Sequence, residues 1–596
     1  MLQTAPAAEA SAWLESFSRE LAGGDAGAVL ALFAEDCYWR DFVAFTWNVM
    51  TVEGKPAIAA MLKATLASTA PTGFVLGAAS GQPGHIEGWF EFETAVGRGK
   101  GIFRLEGGKC RTILTTLQEL KGFEEAAGPT RPKGVSHGAD RNRQTWSELR
   151  AIEDAELGAS RQPYCLIIGG GQGGIMLGAR LKQLGVPFII AEKNAKPGDS
   201  WRRRYRSLVL HDPVWYDHFP YIPFPAHWPV FTPKDKMGDW LEMYVKTMEL
   251  NYWGSTEVTR ASYDPEAKLW TVELLRDGEP VTLKPAQLVF ATGAYGPPRF
   301  VDLPGAADFK GEIIHSNQYA DGGRYEGKRV AVIGAASSAH DVAVDLWEAG
   351  ADVTMVQRSP TTVVRSETLM DLGFDIYSEA AVAAGIDVDK ADLIAAATPM
   401  ALQPPIQRAL YEKIRTRDAD FYRRLEASGF LLDFGEDDTG QMLKAYRTGS
   451  GFYIDVGASE LIISGAIKVK AGVPIERLTA TGIRFADGSE LPADAIIQST
   501  GFQSMHEMVA RIVDRATADA IGPCWGIGSG VRNDPGPWQG ELRNLYKPTA
   551  QEALWVHGGN LALSRFFSKF LALQIKARCE GLDTPVYRTP LQAPSS

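Results

Sequence analysis

The sequence predicts an α/β chain with two nested Rossmann-type dinucleotide-binding domains, preceded by a small α+β cone domain. Three observations carry this. A strand–glycines–helix–strand pattern begins at Tyr164 and starts again at Lys328. Residues 10–125 place helices first and alternating strands afterwards, the order of an α+β unit and not of α/β. Finally, 61 of 596 residues are Gly, above the usual ~7 %.

The length corresponds to about four units of ~150 residues. The expected boundaries are 1–125 for the cone, 126–162 for a linker and 163–325 for the first nucleotide unit. The second spans 326–495, with a helical insertion at about 370–450, and 496–596 return to the first. Within the cone, helices are expected from Ser11 to about Leu21, over AVLALFAED and over GKPAIAAMLKATLAS. Strands are expected at HIEGWFEFET, GKGIFRLE and CRTILTTLQEL. The polar stretch 122–162 reads as a linker with one short helix at Trp146–Glu156.

A net charge of −11 argues against nucleic acid as the main partner, because phosphate binding needs a basic footprint. It leaves room for a local basic pocket. Five scattered Cys without CxxC spacing speak against a disulfide framework and against zinc. Nine dispersed His, with no HExxH and no GxSxG, give no metal site and no nucleophile elbow. No signal peptide and no membrane span are expected, and the composition fits a reducing cytoplasm.

The first turn follows the buried strand Cys165–Ile168 and reads Gly169-x-Gly171-x-x-Gly174. Gly169 permits the tight turn, Gly171 lets backbone approach a pyrophosphate, and Gly174 lets helix and strand pack closely. The helix N-terminus supplies N–H groups and a positive dipole end. The second strand ends in Glu192, which suits an unphosphorylated ribose, as in FAD or NAD. The second turn reads Gly334-x-Ala336-x-x-Ala339, and its second strand ends in Gln357-Arg358. A cation there suits a 2′-phosphate. The first turn therefore reads as an FAD site and the second as an NADPH site, which implies electron transfer from nicotinamide to flavin.

Between the turns lies Phe309-x-Gly311-x-x-x-His315-x-x-x-Tyr319, which resembles the fingerprint of the class B flavin-dependent monooxygenases. Its final aromatic is of the flavin-containing, YUCCA-like type, whereas the Baeyer–Villiger enzymes usually carry Trp followed by Pro or Asp. PGDSWRRRYRSLVLHDP (197–213), LVFATGAYGPPRFVDLPG (288–305), DAIIQSTGFQS (494–504) and HGGNLALSRFFSKFLALQIKA (557–577) resemble further family segments, in matching order. Residues 10–125 resemble the polyketide-cyclase-like cone.

The resemblance implies a soluble NADPH-dependent enzyme. It would insert one atom of O2 into a small organic substrate through a flavin C4a-(hydro)peroxide, by N- or S-oxygenation or by oxidative decarboxylation of a 2-oxo acid. The alternatives are Baeyer–Villiger insertion into ketones, and a pyridine-nucleotide flavoprotein reductase. Such a reductase would need a redox-active Cys pair that the sequence lacks. By position, Gly169, Gly171, Gly174, Glu192, Ser200, Trp201, Ala291, Thr292, Gly293, Thr500 and Gly501 would serve FAD and the linkers beside it. Gly334, Ser337, Ser338 and Arg358 would serve NADP. The family often has an Asn in the segment that here reads Leu210-His211-Asp212-Pro213, so His211 or Asp212 takes the donor position. Asn560 either caps the C-terminal helix or touches the flavin.

Three readings stay open. The aromatic segment 214–231 lines a substrate channel or forms a Pro-braced loop. The cone holds an acid/base pocket from Trp39, Asp41 and His85, or it is a docking or dimerisation module; the second is favoured, and a homodimer through the cone is allowed for. The insertion would cap the active site.

Overall fold

The computed structural model describes residues 5–135, 137–293, 296–536 and 539–589. Ala294 and Tyr295, in the segment expected to carry the Ala-Thr-Gly motif, lie outside them.

The N-terminal domain is a six-stranded sheet in the order Val49–Glu53, Phe33–Phe42, Lys109–Leu120, Gly97–Glu106, His85–Glu93 and Thr72–Gln82. The helices Ala5–Gly23 and Gly54–Thr69 pack on it. Two expectations need correction. The helix expected over AVLALFAED stops at Leu30, because Phe33, Cys37 and Trp39 are drawn into a strand that pairs in parallel with Lys109–Leu120. The strand Thr72–Gln82 was not expected; it is a mostly exposed edge strand whose only large apolar residues are Phe74, Val75 and Leu76, the rest being small or polar.

The interior of this domain is filled by rings. Trp13 lies 4.9 Å from Phe17 and 4.5 Å from Phe103 between centroids, Trp39 lies 5.0 Å from Phe45, and Phe74 stacks on Phe92 at 5.6 Å. Glycines inside the strands make room for them: a Cβ at Gly88 would sit 2.3 Å from the Phe103 ring.

The first nucleotide unit is a parallel sheet in the order Leu554–Val556, Gln287–Phe290, Cys165–Ile168, Phe188–Ala191 and Tyr252–Trp253. Four of the five strands are buried on both faces, as parallel strands between helices must be. The helices Gln172–Gln183 and Leu561–Cys579 pack against each other beside it.

The second unit is a parallel sheet in the order Glu312–His315, Ala495–Gln498, Arg329–Ile333, Asp352–Gln357 and Lys468–Ala471. The fingerprint segment thus supplies this sheet's edge strand. The insertion carries six α-helices: Ser366–Gly373, Glu379–Ala383, Val388–Ala396, Gln403–Arg417, Ala419–Ala427 and Gly440–Thr448. Among the described residues, no helix is long and apolar enough to cross a membrane.

The N-terminal domain shares one buried apolar cluster with the first nucleotide unit. Phe42 meets Phe566, Phe567 and Phe570 of the C-terminal helix at 5.2–5.8 Å between centroids. The N-terminal sheet is therefore bound to its own chain.

Candidate active site

Both glycine turns are built in the same way. Gly169 has φ +108° and Gly334 has φ +132°, a region that favours glycine. A Cβ on either would lie 2.3 Å from a carbonyl oxygen, that of Ala291 in the first unit and that of Ser499 in the second. Ala291-Thr292-Gly293 and Ser499-Thr500-Gly501 follow the strands Gln287–Phe290 and Ala495–Gln498 in their respective sheets. The two linkers therefore occupy equivalent places, each against the turn of its own unit.

Each turn opens a helix of 12 residues, Gln172–Gln183 and Ser337–Glu348. The N-cap residues, Gly171 and Ala336, are extended, and neither makes a side-chain cap hydrogen bond. The first N–H groups of both helices are thus left for an anion. A Cβ at Gly174 would lie 2.0 Å from the Gly169 carbonyl oxygen, so that glycine is needed by the protein itself. A Cβ at Gly171 would meet only Ser200 Oγ, at 3.9 Å; it would fill the cradle in front of the helix and nothing else.

Other groups fit a cofactor at the first turn. Thr292 Oγ1 and Ser564 Oγ are buried without a partner among the described residues. His557 is fully buried beside the Gly173 backbone, neither ring nitrogen has a well-formed hydrogen bond among the described residues, and burial pushes its pKa down to about 4. Glu192 is buried; it accepts from Gly170 N at 2.7 Å and from Asn194 N and Nδ2 at 2.8 and 2.6 Å. Its carboxylate is held rigidly at the strand end, with one acceptor position left on Oε2. Trp201 Nε1 donates to Gln172 Oε1 at 3.3 Å, and Ser200 lies beside Gly171, so both border the cradle. The residues present fit FAD.

At the second turn, Arg358 is exposed, and no ion pair of it occurs among the described residues. Ser337 Oγ donates to the Phe452 carbonyl at 3.0 Å, so that hydroxyl is already engaged, while Ser338 is half-buried. Thr500 Oγ1 likewise donates to the Arg299 carbonyl, at 2.5 Å.

The donor segment reaches across to the second unit. His211 Nε2 lies 3.3 Å from Asp341 Oδ1, and Tyr205 OH donates to Asp341 Oδ2. One helical turn on, Asp345 accepts from Tyr319 OH at 2.6 Å. Burial alone would depress His211, but the hydrogen bond and charge of Asp341 more than offset it and leave the pKa raised. Burial raises the pKa of Asp212, with His211 opposing. Neither Asp341 nor Tyr205 was expected; their signal, an i,i+4 acid pair on the second helix, gains meaning only from what lies across it.

Asn560 caps its helix: Oδ1 accepts from Leu563 N at 3.0 Å, and Nδ2 donates to Tyr216 OH at 3.2 Å. His315 forms a local cap and faces the Gly501 carbonyl at 3.0 Å, joining the fingerprint to the second linker. The aromatic segment divides in two. Phe224 stacks on Trp228 at 4.8 Å, and both pack on Trp240. Tyr216 instead faces the insertion, 4.9 Å from Tyr377 and 5.4 Å from Phe374 between centroids. Nearby, Asp217 is buried with Oδ2 unpartnered among the described residues; burial and the charge of Asp212 push its pKa well up, against Arg565.

The acid/base pocket considered for the N-terminal domain is not there. Asp41 is fully buried and accepts from Phe45 N, Thr46 N, Thr46 Oγ1 and Thr115 Oγ1, while Trp39 Nε1 donates to Thr115 Oγ1. His85 is exposed at a strand end. The aromatic rings occupy the space a pocket would need.

Residues 166–381 match the pyridine nucleotide-disulphide oxidoreductase family. The chain is 31% identical over 348 residues to indole-3-pyruvate monooxygenase YUCCA1 of Oryza sativa subsp. japonica, covering 57% of this chain and 77% of that protein. The chain belongs to the flavin-dependent monooxygenases of class B. A further relative is the probable indole-3-pyruvate monooxygenase YUCCA9 of Arabidopsis thaliana, 29% identical, with 57% and 75% covered. In fold, the chain is similar to cyclohexanone monooxygenase bound to epsilon-caprolactone, with a TM-score of 0.51, 20% identity and coverage of 70% and 88%. As a member of this family the chain is a flavin-dependent monooxygenase, an oxidoreductase that uses FAD and NADP.

Proposed function

We propose that this monooxygenase transfers one oxygen atom of O2 to a small organic substrate by N- or S-oxygenation, or by oxidative decarboxylation of a 2-oxo acid. The supporting observation is the pair of turns that share a left-handed glycine against a linker carbonyl and whose second strands are followed by opposite charges, Glu192 in one unit and Arg358 in the other. When bound, FAD reduced by NADPH supplies the oxygen-activating chemistry.

The chain's own residues bind, orient and hold protons. Gly171, Ser200 and the N–H groups of Gln172–Gln183 receive the FAD pyrophosphate, and Glu192 its ribose. Arg358 pairs with the 2′-phosphate of NADPH. His211 keeps a proton on Nε2 toward Asp341 Oδ1 and has Nδ1 left to exchange one. Asn560 fixes the start of the closing helix. YUCCA1 is named for indole-3-pyruvate, so aromatic 2-oxo acids head the substrate panel.

The test is NADPH consumption against amines, thioethers, 2-oxo acids and ketones under ¹⁸O2, with product mass spectrometry. One ¹⁸O atom in an N-oxide, a sulfoxide or a decarboxylated acid is expected. Label only in esters or lactones from ketones would replace this reading with Baeyer–Villiger insertion. NADPH oxidation without label in any product would refute oxygen transfer.

A further inference from the structure

The insertion helix Val388–Ala396 is held by little apolar burial: its buried residues are Ala391, Asp392 and Ala396, with Leu393 half-buried against the core. Two buried arginines grip it instead. Arg565, on the C-terminal helix and 1 % exposed, donates from Nε and Nη2 to Asp392 at 3.0 and 2.7 Å. Arg40, on the N-terminal strand Phe33–Phe42 and 3 % exposed, donates from Nη1 to the carbonyls of Ala396 and Thr398 at 2.8 and 3.3 Å. These carbonyls close the helix, where the dipole favours a cation. The other edge of the same guanidinium forms a bidentate pair with Glu541, Nε–Oε1 2.6 Å and Nη2–Oε2 2.7 Å. Thr51 Oγ1 also donates to Glu541, at 2.7 Å, and Arg104 Nη1 donates to Thr398 Oγ1 at 2.8 Å.

The helix in turn borders the flavin side. Asp392 accepts from Tyr377 OH at 3.0 Å, Tyr377 packs on Tyr216, and Tyr216 OH accepts from Asn560 at the start of the closing helix. A single N-terminal side chain therefore binds the insertion and the C-terminal flavin segment together.

We propose that the N-terminal domain is a clamp on the active-site cap, with Arg40 as the positioning residue that holds Val388–Ala396 against the flavin-domain helix Leu561–Cys579. This goes beyond the proposed reaction and rests on it only for the consequence in turnover. A cap held in place keeps bulk water from the reacting face, and a loosened cap diverts electrons from NADPH to hydrogen peroxide.

The experiment pairs Arg40→Met with Glu541→Gln, so that neither member of this ion pair is left as an uncompensated buried charge by loss of the other. Hydrogen exchange by mass spectrometry should rise at least tenfold in peptides covering 388–396, with 165–183 unchanged. The peroxide released per NADPH should rise several-fold with the KM for NADPH unaltered, a split that mere gluing of two domains would not produce. Unchanged exchange at 388–396 overturns the proposal, and so does an unchanged peroxide share in an enzyme that oxidises NADPH. If the pair unfolds globally, Arg104→Met decides in its place: it removes the Thr398 tether together with the Glu87 ion pair inside the N-terminal sheet, and unchanged exchange at 388–396 there overturns the proposal. A chain that oxidises no NADPH would sink the reaction assigned above, while the exchange measurement would still judge the clamp.

Discussion

Gly171→Ala should separate cofactor binding from folding. Gly171 lies at φ −76°, ψ −171°, a conformation alanine adopts without strain, and the new methyl would meet only Ser200 Oγ at 3.9 Å. The apoprotein should keep its stability to within about 0.5 kcal/mol, or gain slightly from a stiffer unfolded chain. The methyl does occupy the space in front of the helix N-terminus where a pyrophosphate approaches. Forcing one carbon into a close contact costs about 1–3 kcal/mol, so FAD affinity should fall roughly 5- to 150-fold. Gly174→Ala is the internal contrast. Its methyl would lie 2.0 Å from the Gly169 carbonyl oxygen, where helix and strand touch, so the penalty of about 3 kcal/mol falls on the protein with or without FAD. The assay is thermal unfolding of deflavinated parent and variants, followed by FAD titration read by flavin fluorescence. If Gly171→Ala binds FAD as tightly as the parent, or if the two variants lose apoprotein stability alike, the cradle is not where the turn places it.

Three other outcomes are expected. Arg358→Ala should cut kcat/KM for NADPH by roughly 10- to 150-fold, the worth of a charge-assisted contact of about 1.5–3 kcal/mol, and leave NADH unchanged; equal use of both nucleotides by the parent would refute the phosphate contact. Asp341→Asn should lower the His211 pKa, which ¹³C-labelled imidazole NMR measures directly. In the parent, the raised pKa contributes stability that is complete below pH 6.5 and is lost as pH rises through the folded value, so an unmoved titration would show that Asp341 does not hold the ring. His340 and His557 run the other way: both are fully buried with pKa values pushed down to about 4, mainly by burial. Stability should be complete above pH 6.5 and fall as pH drops toward 4, by about 2 kcal/mol per ring at pH 5; denaturant midpoints that stay flat over that window would contradict their burial as neutral rings.

Local patterns were legible in the sequence. The turns at 169–174 and 334–339 announce themselves because glycine, buried strand and helix follow one another within a dozen residues, and the cap of Asn560 lies three residues from the N–H it accepts. What escaped was set by distance along the chain. Arg40 and Glu541 are 501 residues apart and Arg565 and Asp392 173 apart, and nothing near any of the four marks it as buried and paired. The N-terminal domain shows a different limit. AVLALFAED has helical spacing, yet pairing with Lys109–Leu120 overrides that propensity from Phe33 onward. Asp41 and His85 have the residue types of an acid/base pair, but residue type does not tell a carboxylate tied down by two backbone amides and two hydroxyls from one poised for chemistry.

The two turns also show why a weak match to a glycine pattern can still be a sound site. In the second unit alanine stands at two of the three glycine positions, and only Gly334 remains. The structure ranks those positions by what a methyl would strike. At Gly169 and Gly334 it would strike a linker carbonyl, at Gly174 the turn's own carbonyl, and at Gly171 nothing but the cradle. The one glycine kept in both units is the one whose left-handed φ and linker contact belong to the protein, whichever nucleotide binds. The first N-cap position answers only to the ligand. Ala336 is extended like Gly171, with φ −98° against −76°, so the second turn gives up a little room in front of its helix and keeps its architecture. On the proposed reading, a methyl in that cradle would shift more of the nucleotide's hold to the far end of the site, where Arg358 stands exposed at the end of the second strand. Gly171→Ala in the first unit therefore imitates what the second already carries, and Ala336→Gly should tighten NADPH binding by up to the same 5- to 150-fold without changing the stability of the nucleotide-free protein by more than about 1 kcal/mol. Isothermal titration with NADP⁺ measures this, and an unchanged affinity would mean that the pyrophosphate does not approach the second N-cap as it approaches the first.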